Sequence, residues 1–262
     1  MIPIKDQNPT TRPPVLTVLI IVACVSVFVG FQQRQGRERI PVGESSLDIP
    51  RDLSFELRRA AIPCEIFTDS PLGLSEVRQT FSNGDTDACI RSDIDSGPLL
   101  FPSKSVYLAI LVSMFLHAGW LHLGGNMLFL WIFGNNIEDR LGLMGFALFY
   151  ALGGVVATLA HVVVQPNSTV PVIGASGAIA AVMGAYLVWY PKATVLSYIP
   201  PIFVFPLAAR WFLIIWFVLQ FFTDANSRVA WVAHVAGFLF GMAAAFALRG
   251  SASNGQPRRS TM

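Results

Sequence analysis

Charge is what this sequence has least of. Of 262 residues only 13% are Asp, Glu, Lys or Arg, against 53% hydrophobic, and the mean hydropathy is +0.56. A soluble domain carries about 25% charge, so the composition argues against a chain surrounded by water on all sides. The net charge of +2 is too small to suggest a nucleic-acid partner. Cysteine is scarce as well, with three residues and no pair at metal-ligand spacing, so no metal is expected. Cys24 falls in an apolar run, as a packing residue would. Cys64 and Cys89 share a polar stretch, where a disulfide forms only outside a reducing compartment. No lipidation motif is visible, since residue 2 is Ile and the last residues are Arg259-Ser260-Thr261-Met262.

The apolar residues gather into runs. A helix rises about 1.5 Å per residue, so a crossing takes roughly 20 of them. Six spans are expected, at 15–31, 119–135, 143–164, 173–190, 211–222 and 229–248. The first follows Lys5 and Arg12 and lacks a small-residue cleavage site, which favours a retained span over a removable signal. Val106–Leu116 is too short to cross and is expected to enter and leave on one side. Val195–Leu207 holds Pro200, Pro201 and Pro206, too many for an ordinary helix. It is expected to be an interfacial connector. The fold class predicted is thus all-α, a polytopic bundle of six transmembrane helices. The divisions are a cytoplasmic tail 1–14, a first helix 15–31, a long extracytoplasmic loop 32–104, a core 105–248 and a cytoplasmic tail 249–262. A short helix is expected near Phe55–Ala61 in the loop, without a core large enough for an independent domain.

Basic residues set the orientation. With the N-terminus inside, the inner segments hold Lys5, Arg12, Arg140, Lys192, Arg210, Arg249, Arg258 and Arg259. The outer segment Gln165–Val172 has no Lys or Arg, and Thr223–Arg228 has one. The loop 32–104 is long enough to translocate whatever its charge. Both termini are therefore expected in the cytoplasm of a cell membrane.

Against this apolar background a few polar residues stand out. An unpaired polar group in hydrocarbon costs several kcal/mol. The second, fourth and sixth spans all run from outside to inside. They carry His122 and Asn126, Ser176, and His234 within their first two turns. At about 1.5 Å per residue these four groups lie roughly 5–10 Å below the outer surface. His122 and Asn126 are at i,i+4 and share a face. Ser176 sits at a helix N-terminus, where free N–H groups can hold an oxyanion, and Gly174 and Gly177 leave it uncrowded. Gly237 and Gly241 follow His234 and give its helix a smooth face for close approach. A hydroxyl beside a neutral imidazole is the arrangement of an activated nucleophile. With no acidic residue near His234 in its span, a Ser–His dyad is expected. His161 lies outside the pattern and is expected to be structural. Glu138, Asp139 and Arg140 are expected to form a local turn network.

Several separated motifs carry a resemblance. His117-Ala118-Gly119-Trp120-Leu121-His122-Leu123-Gly124-Gly125-Asn126, Gly174-Ala175-Ser176-Gly177, and Ala233-His234 with Gly237 and Gly241 resemble motifs of the rhomboid family of intramembrane serine proteases. So does Glu138-Asp139-Arg140-Leu141-Gly142. The resemblance covers the first span and residues 98–248. It implies Ser176 as nucleophile and His234 as general base, with His122, Asn126 and the Ser176 N–H as the oxyanion hole. It also implies that His117 supports the dipping loop. No cofactor is implied, the partners are transmembrane protein substrates and the lipid bilayer, and oligomeric state stays open. The alternative is a catalytically inactive rhomboid-like protein that binds transmembrane helices in quality control. Two departures are visible: the loop lacks the Trp-Arg pair of some members, and Ala180 stands where some carry an aromatic residue against the base.

The orientation is testable. A cysteine placed at Ser227 should react with a membrane-impermeant thiol reagent from outside, and one at Ala193 should not. Labelling at Ala193 but not at Ser227 in intact cells inverts the topology.

Overall fold

The computed structural model describes residues 1–249, apart from 34, 43–44, 91–92, 200, 202 and 224–228. Ser227, Arg228, Arg258, Arg259 and most of the C-terminal tail lie outside the described residues. The chain begins with strand β1 (Ile2–Asp6) and helix α1 (Val15–Val27), which a π-helical turn carries on to Gln32. A hairpin, β2 (Arg37–Val42) and β3 (Ser45–Pro50), leads into four short helices. These are α2 (Arg51–Arg59), α3 (Pro63–Thr68), α4 (Leu74–Asn83) and α5 (Asp93–Ser96). Helix α6 (Leu108–Ser113) precedes α7 (Trp120–Phe129), and a π-helical turn joins α7 to α8 (Asn135–Val164). Then come α9 (Ser176–Trp189), strands β4 (Thr194–Ile199) and β5 (Phe203–Ala208), α10 (Ala209–Leu219) and α11 (Trp231–Ala247).

The protein is mostly helical, but not all-α. The expected N-terminal tail supplies β1, and the expected connector folds into β4 and β5, in the order β1-β4-β5. The prolines explain this outcome. They forbid a helix there, and a strand tolerates proline only at an edge or its start. Pro3 and Pro206 lie in the edge strands β1 and β5, while central β4 has no proline. The 32–104 segment is also more than a loop. Ile40, Ile49, Leu57, Ile62, Val77 and Leu100 pack into a core of its own, and a Cys64–Cys89 disulfide staples it. Its apolar residues are scattered over a hairpin and several helix faces, so no single run announces them. Lys104 and Glu65 form a buried ion pair inside this cap. Burial pushes the Glu65 carboxyl up and the Lys104 ammonium down, and their mutual attraction opposes both shifts.

Among the described residues two helices are apolar and long enough to cross a bilayer, Val15–Gln32 and the run Trp120–Val164. The second run has 45 residues, about 68 Å at 1.5 Å per residue, too long for one crossing. It breaks at Gly142, whose φ of +72° is left-handed backbone that favours glycine. The apolar helices Ser176–Trp189, Ala209–Gln220 and Trp231–Ala247 are shorter.

Helix α9 runs through the centre and is buried along almost its whole length. It can be central because it is built of Gly and Ala on its packing faces. A side chain at Gly237 or Gly241 of α11 would overlap the backbone carbonyl of Gly177 or Ala181. Gly184 meets the Phe238 carbonyl in the same way. On the other side, a Cβ at Gly153 of α8 would come within 2.6 Å of the Ala181 methyl. Small residues thus let three helix backbones approach closely, which in lipid replaces a hydrophobic driving force.

Contacts sort the connecting segments to two ends. At one end Glu138 accepts from the N–H groups of Leu16 and Thr17 at 2.8 Å and from the Thr17 hydroxyl at 2.7 Å. It caps α1, whose N-cap, Pro14, has no side-chain acceptor to offer those N–H groups. Asp139 binds Thr11 and the Arg12 N–H, and Asn136 joins Asn8 and Asp6. The acidic turn is therefore a long-range anchor for the N-terminal segment, not the local network expected. At the other end the cap grips the 165–174 segment. Cys64 N–H donates to Ser168 O, Thr169 N–H to Thr86 O and Val172 N–H to Ala61 O, at 2.8–2.9 Å.

Replacing Gly241 with Val should cost about 1–3 kcal/mol by overpacking and lower the thermal unfolding midpoint in detergent. An unchanged midpoint would show that α9 and α11 are not in backbone contact there.

Candidate active site

Ser176 is the first residue of α9, and the first intrahelical bond runs from Ile179 N–H to Ala175 O. The N–H groups of Ser176, Gly177 and Ala178 precede it and have no helical acceptor. His234 lies in the first turn of α11. Its Nε2 is 2.8 Å from the Ser176 Oγ. The two side chains expected to work together are therefore within hydrogen-bond distance, and the glycine register between α9 and α11 accounts for it. Gly177 follows the serine directly and Gly237 follows the histidine by three residues, and these two glycines meet.

His122 and Asn126 project from α7 towards the segment before the serine. A side chain at Gly174 would fill the space they occupy, its Cβ 2.8 Å from His122 Nε2 and 3.6 Å from Asn126 Nδ2. Gly174 has φ +123°, which an L side chain rarely adopts. Glycine is thus required twice over, by backbone and by space. The Ala118 N–H donates to His122 Nδ1 at 3.3 Å, so in the neutral ring the proton sits on Nε2, the nitrogen turned towards Gly174. The Asn126 Nδ2 is buried and has no hydrogen-bond partner among the described residues. His122 Nε2 and Asn126 Nδ2 thus face the same spot beside Gly174, and the Asn126 donor is the unpartnered one. A buried donor left without an acceptor is costly to keep.

His117 is placed beside this pair, its ring 5.2 Å from that of His122. It is held through its backbone. The His117 N–H donates to Gln32 Oε1 at 2.9 Å, and Gln32 Nε2 returns a bond to the His117 carbonyl at 3.0 Å. Gln32 was not singled out from the sequence. Its only signal was its place at the end of an apolar run, where Gln33 and Gln35 stand beside it. His161 lies in the last turn of α8, and no hydrogen bond among the described residues joins it to the dyad. A cavity of about 20 Å³ opens beside Ser176, lined by Met114, Gly154, Thr158, Gly174 and Ala233 among others. It has room for about one water molecule.

The imidazole has two neighbours that sequence reasoning missed. Trp216 lies with its ring centroid 5.9 Å from that of His234, so an aromatic residue does face the base although position 180 is Ala. Gln220 Oε1 is 2.8 Å from His234 Nδ1. Both come from the α10 segment rather than from α9. Their spacing from His234 in sequence gives no hint of the contact.

The segment that carries the serine is pinned from outside. Gly174 N–H donates to the Ser113 carbonyl at 2.9 Å. The Ser113 hydroxyl in turn accepts from the Ala61 N–H of the cap at 2.6 Å. One residue at the end of α6 thus joins the cap to the segment that leads into Ser176.

Residues 104–251 match the family model described as Rhomboid domain. Similar proteins include Rhomboid-like protein 11, chloroplastic, of Arabidopsis thaliana, 39% identical over 80 residues, which are 30% of this chain and 28% of that one. Rhomboid protein 1, mitochondrial, of Saccharomyces cerevisiae is 34% identical over 99 residues, 36% of this chain and 29% of its own. The mitochondrial Presenilin-associated rhomboid-like protein of Bos taurus is 33% identical over 105 residues, 39% of this chain and 28% of its own. The chain thus spans less than a third of the length of each of these relatives. Their names place them in organelles and lend no support to the cell-membrane location expected from the sequence.

Proposed function

The chain belongs to the rhomboid family, and from that premise we propose that it is an intramembrane serine endopeptidase that cleaves transmembrane segments of membrane proteins. The observation that carries this reading is the 2.8 Å contact between Ser176 Oγ and His234 Nε2, beside the unpartnered Asn126 amide. A helix-binding protein without catalysis has no need of either.

The family is membrane-embedded, and six crossings account for the helices. Val15–Gln32 is the first, the two arms of Trp120–Val164 either side of Gly142 are the next two, and the three shorter apolar helices complete the set. At 14 residues α9 is about 21 Å long, shorter than the hydrocarbon core. Its outer end is therefore recessed, which lets water reach Ser176. The basic residues put both termini inside and the cap outside. A disulfide in the cap fits an oxidising compartment.

In this mechanism a substrate helix unwinds locally and presents a peptide carbonyl to Ser176. The Oγ attacks while His234 Nε2 takes its proton, and the carbonyl π bond becomes an oxyanion. His122 Nε2–H, Asn126 Nδ2 and the Ser176 N–H hold that charge. The tetrahedral species collapses, the C–N bond breaks, and His234 gives its proton to the leaving amine. Water then enters, and the same base directs it at the acyl-enzyme to restore the serine.

Ser176→Ala and His234→Ala should each abolish cleavage of a model transmembrane substrate and labelling by a fluorophosphonate probe, with the protein still inserted and folded. Full proteolysis by purified Ser176→Ala removes the assignment of the nucleophile.

Asn126→Ala should lower turnover by about tenfold to a thousandfold with little change in KM, since one oxyanion donor is worth roughly 2.7–4 kcal/mol. A structural asparagine would instead lower thermal stability and leave the turnover of the surviving enzyme unchanged.

A further inference from the structure

The base of a serine hydrolase must present an unprotonated nitrogen to the hydroxyl. A neutral imidazole has two tautomers, and only the one with its proton on Nδ1 leaves Nε2 free to accept. In this site no carboxylate among the described residues hydrogen-bonds His234 to impose that choice. Resting on the proteolytic reading above, we propose that Gln220 is the positioning residue that selects the productive tautomer of His234, making the dyad a Ser176–His234–Gln220 relay.

The argument is one of hydrogen-bond direction. Gln220 Nε2 donates to the Trp216 carbonyl, one helical turn back, at 3.0 Å. That bond sets which end of the amide is which. Flipping the amide would put its oxygen against the Trp216 carbonyl, two acceptors facing each other. The Oε1 is therefore the end that meets His234 Nδ1 at 2.8 Å. An acceptor at that place requires a proton on Nδ1. The lone pair then lies on Nε2, pointing at the Ser176 Oγ at 2.8 Å. The three groups form one directed chain, from the Trp216 carbonyl to the serine hydroxyl, in which every donor has an acceptor.

Chemistry supports the choice of residue. The amide oxygen stabilises the Nδ1–H in the resting enzyme and in the imidazolium that forms during attack. A carboxylate would do so more strongly, but a charge buried in a membrane core carries a large desolvation cost. A glutamine performs the orienting part without it. Gln220 also sits where the α10 helix passes into a 3₁₀ turn, Gln220–Phe222, and the Thr223 hydroxyl donates to its carbonyl at 2.8 Å. Trp216, on the preceding turn, packs near the same imidazole and against Phe238 of α11. One short segment therefore fixes both the tilt and the protonation of the base, and it acts through His234 rather than on the substrate.

The test uses the purified full chain and two substitutions. Gln220→Met keeps the volume and removes both polar ends. Gln220→Glu keeps the acceptor for His234 and removes the amide donor to Trp216. Labelling by a fluorophosphonate probe should slow by about tenfold to a hundredfold in Gln220→Met, a smaller loss than the ~10⁴ seen when a serine protease base is given the wrong tautomer. Gln220→Glu should recover most of that rate. Nitrogen-15 NMR of histidine-labelled protein, assigned with a His234 variant, should show His234 protonated on Nδ1 in the parent chain and in Gln220→Glu, and the Nε2–H tautomer populated in Gln220→Met. If Gln220→Glu is as slow as Gln220→Met and the tautomer is the same in all three, Gln220 serves only to brace its own helix and the proposal fails. An Nε2–H tautomer in the parent chain overturns it without any variant. A parent chain that shows the Nδ1–H tautomer yet never labels would instead sink the proteolytic reading and leave the assignment of Gln220 standing.

Discussion

Everything at this site depends on how closely α9 and α11 approach. Gly237 and Gly241 lie against the carbonyls of Gly177 and Ala181, and Gly184 against that of Phe238. Backbone contact of this kind fixes both distance and register. A larger residue at any of the three would push the helices apart or slide one along the other. Ser176 and His234 each stand within three residues of a glycine in that seam. Their 2.8 Å contact is therefore a consequence of helix packing. In hydrocarbon, where burying apolar side chains offers little gain, such close packing is what holds helices together.

The two halves of the dyad are supported from opposite directions. The serine side is tied to the cap. Ser113 receives Gly174 through its carbonyl and Ala61 through its hydroxyl, and Ala61, Cys64 and Thr86 grip the loop that precedes the nucleophile. The histidine side is tied to α10 through Trp216 and Gln220. Between them, α7 brings His122 and Asn126, and Gln32 at the end of α1 holds His117 by its backbone. At the far end, Glu138 and Asp139 spend their acceptors on the N-terminal segment, which leaves the acidic turn bound to structure rather than to chemistry.

Much of the site was legible in the chain itself. Polar residues are expensive in an apolar helix, so Ser176, His122, Asn126 and His234 stood out, and a six-span reading put them at one depth. Gly237 and Gly241 carried their meaning because small residues let helix backbones approach, whereas the left-handed backbone at Gly142 and Gly174 showed only in the structure. The small sheets were not legible. Pro200, Pro201 and Pro206 signalled that a helix stops, but not that the N-terminal residues would supply a partner strand. The cap core was hidden for a related reason: Ile40, Leu57, Val77 and Leu100 are far apart in sequence and make no run.

What the sequence by itself determined is the inventory and its spacing along single helices. Hydropathy decided which segments avoid water, and i,i+4 spacing decided that His122 and Asn126 share a face. Contacts between helices are another matter. Gln220 and Trp216 look like ordinary members of an apolar segment, and nothing in their own neighbourhood points at His234. Only the tertiary structure brought them to the imidazole, and only it joined Cys64 to Cys89 and Glu138 to the start of α1. The physical reason is that local pattern reports which surface of a helix wants to be buried. The partner that buries it is chosen by packing among several helices at once, and that choice is written in no one of them.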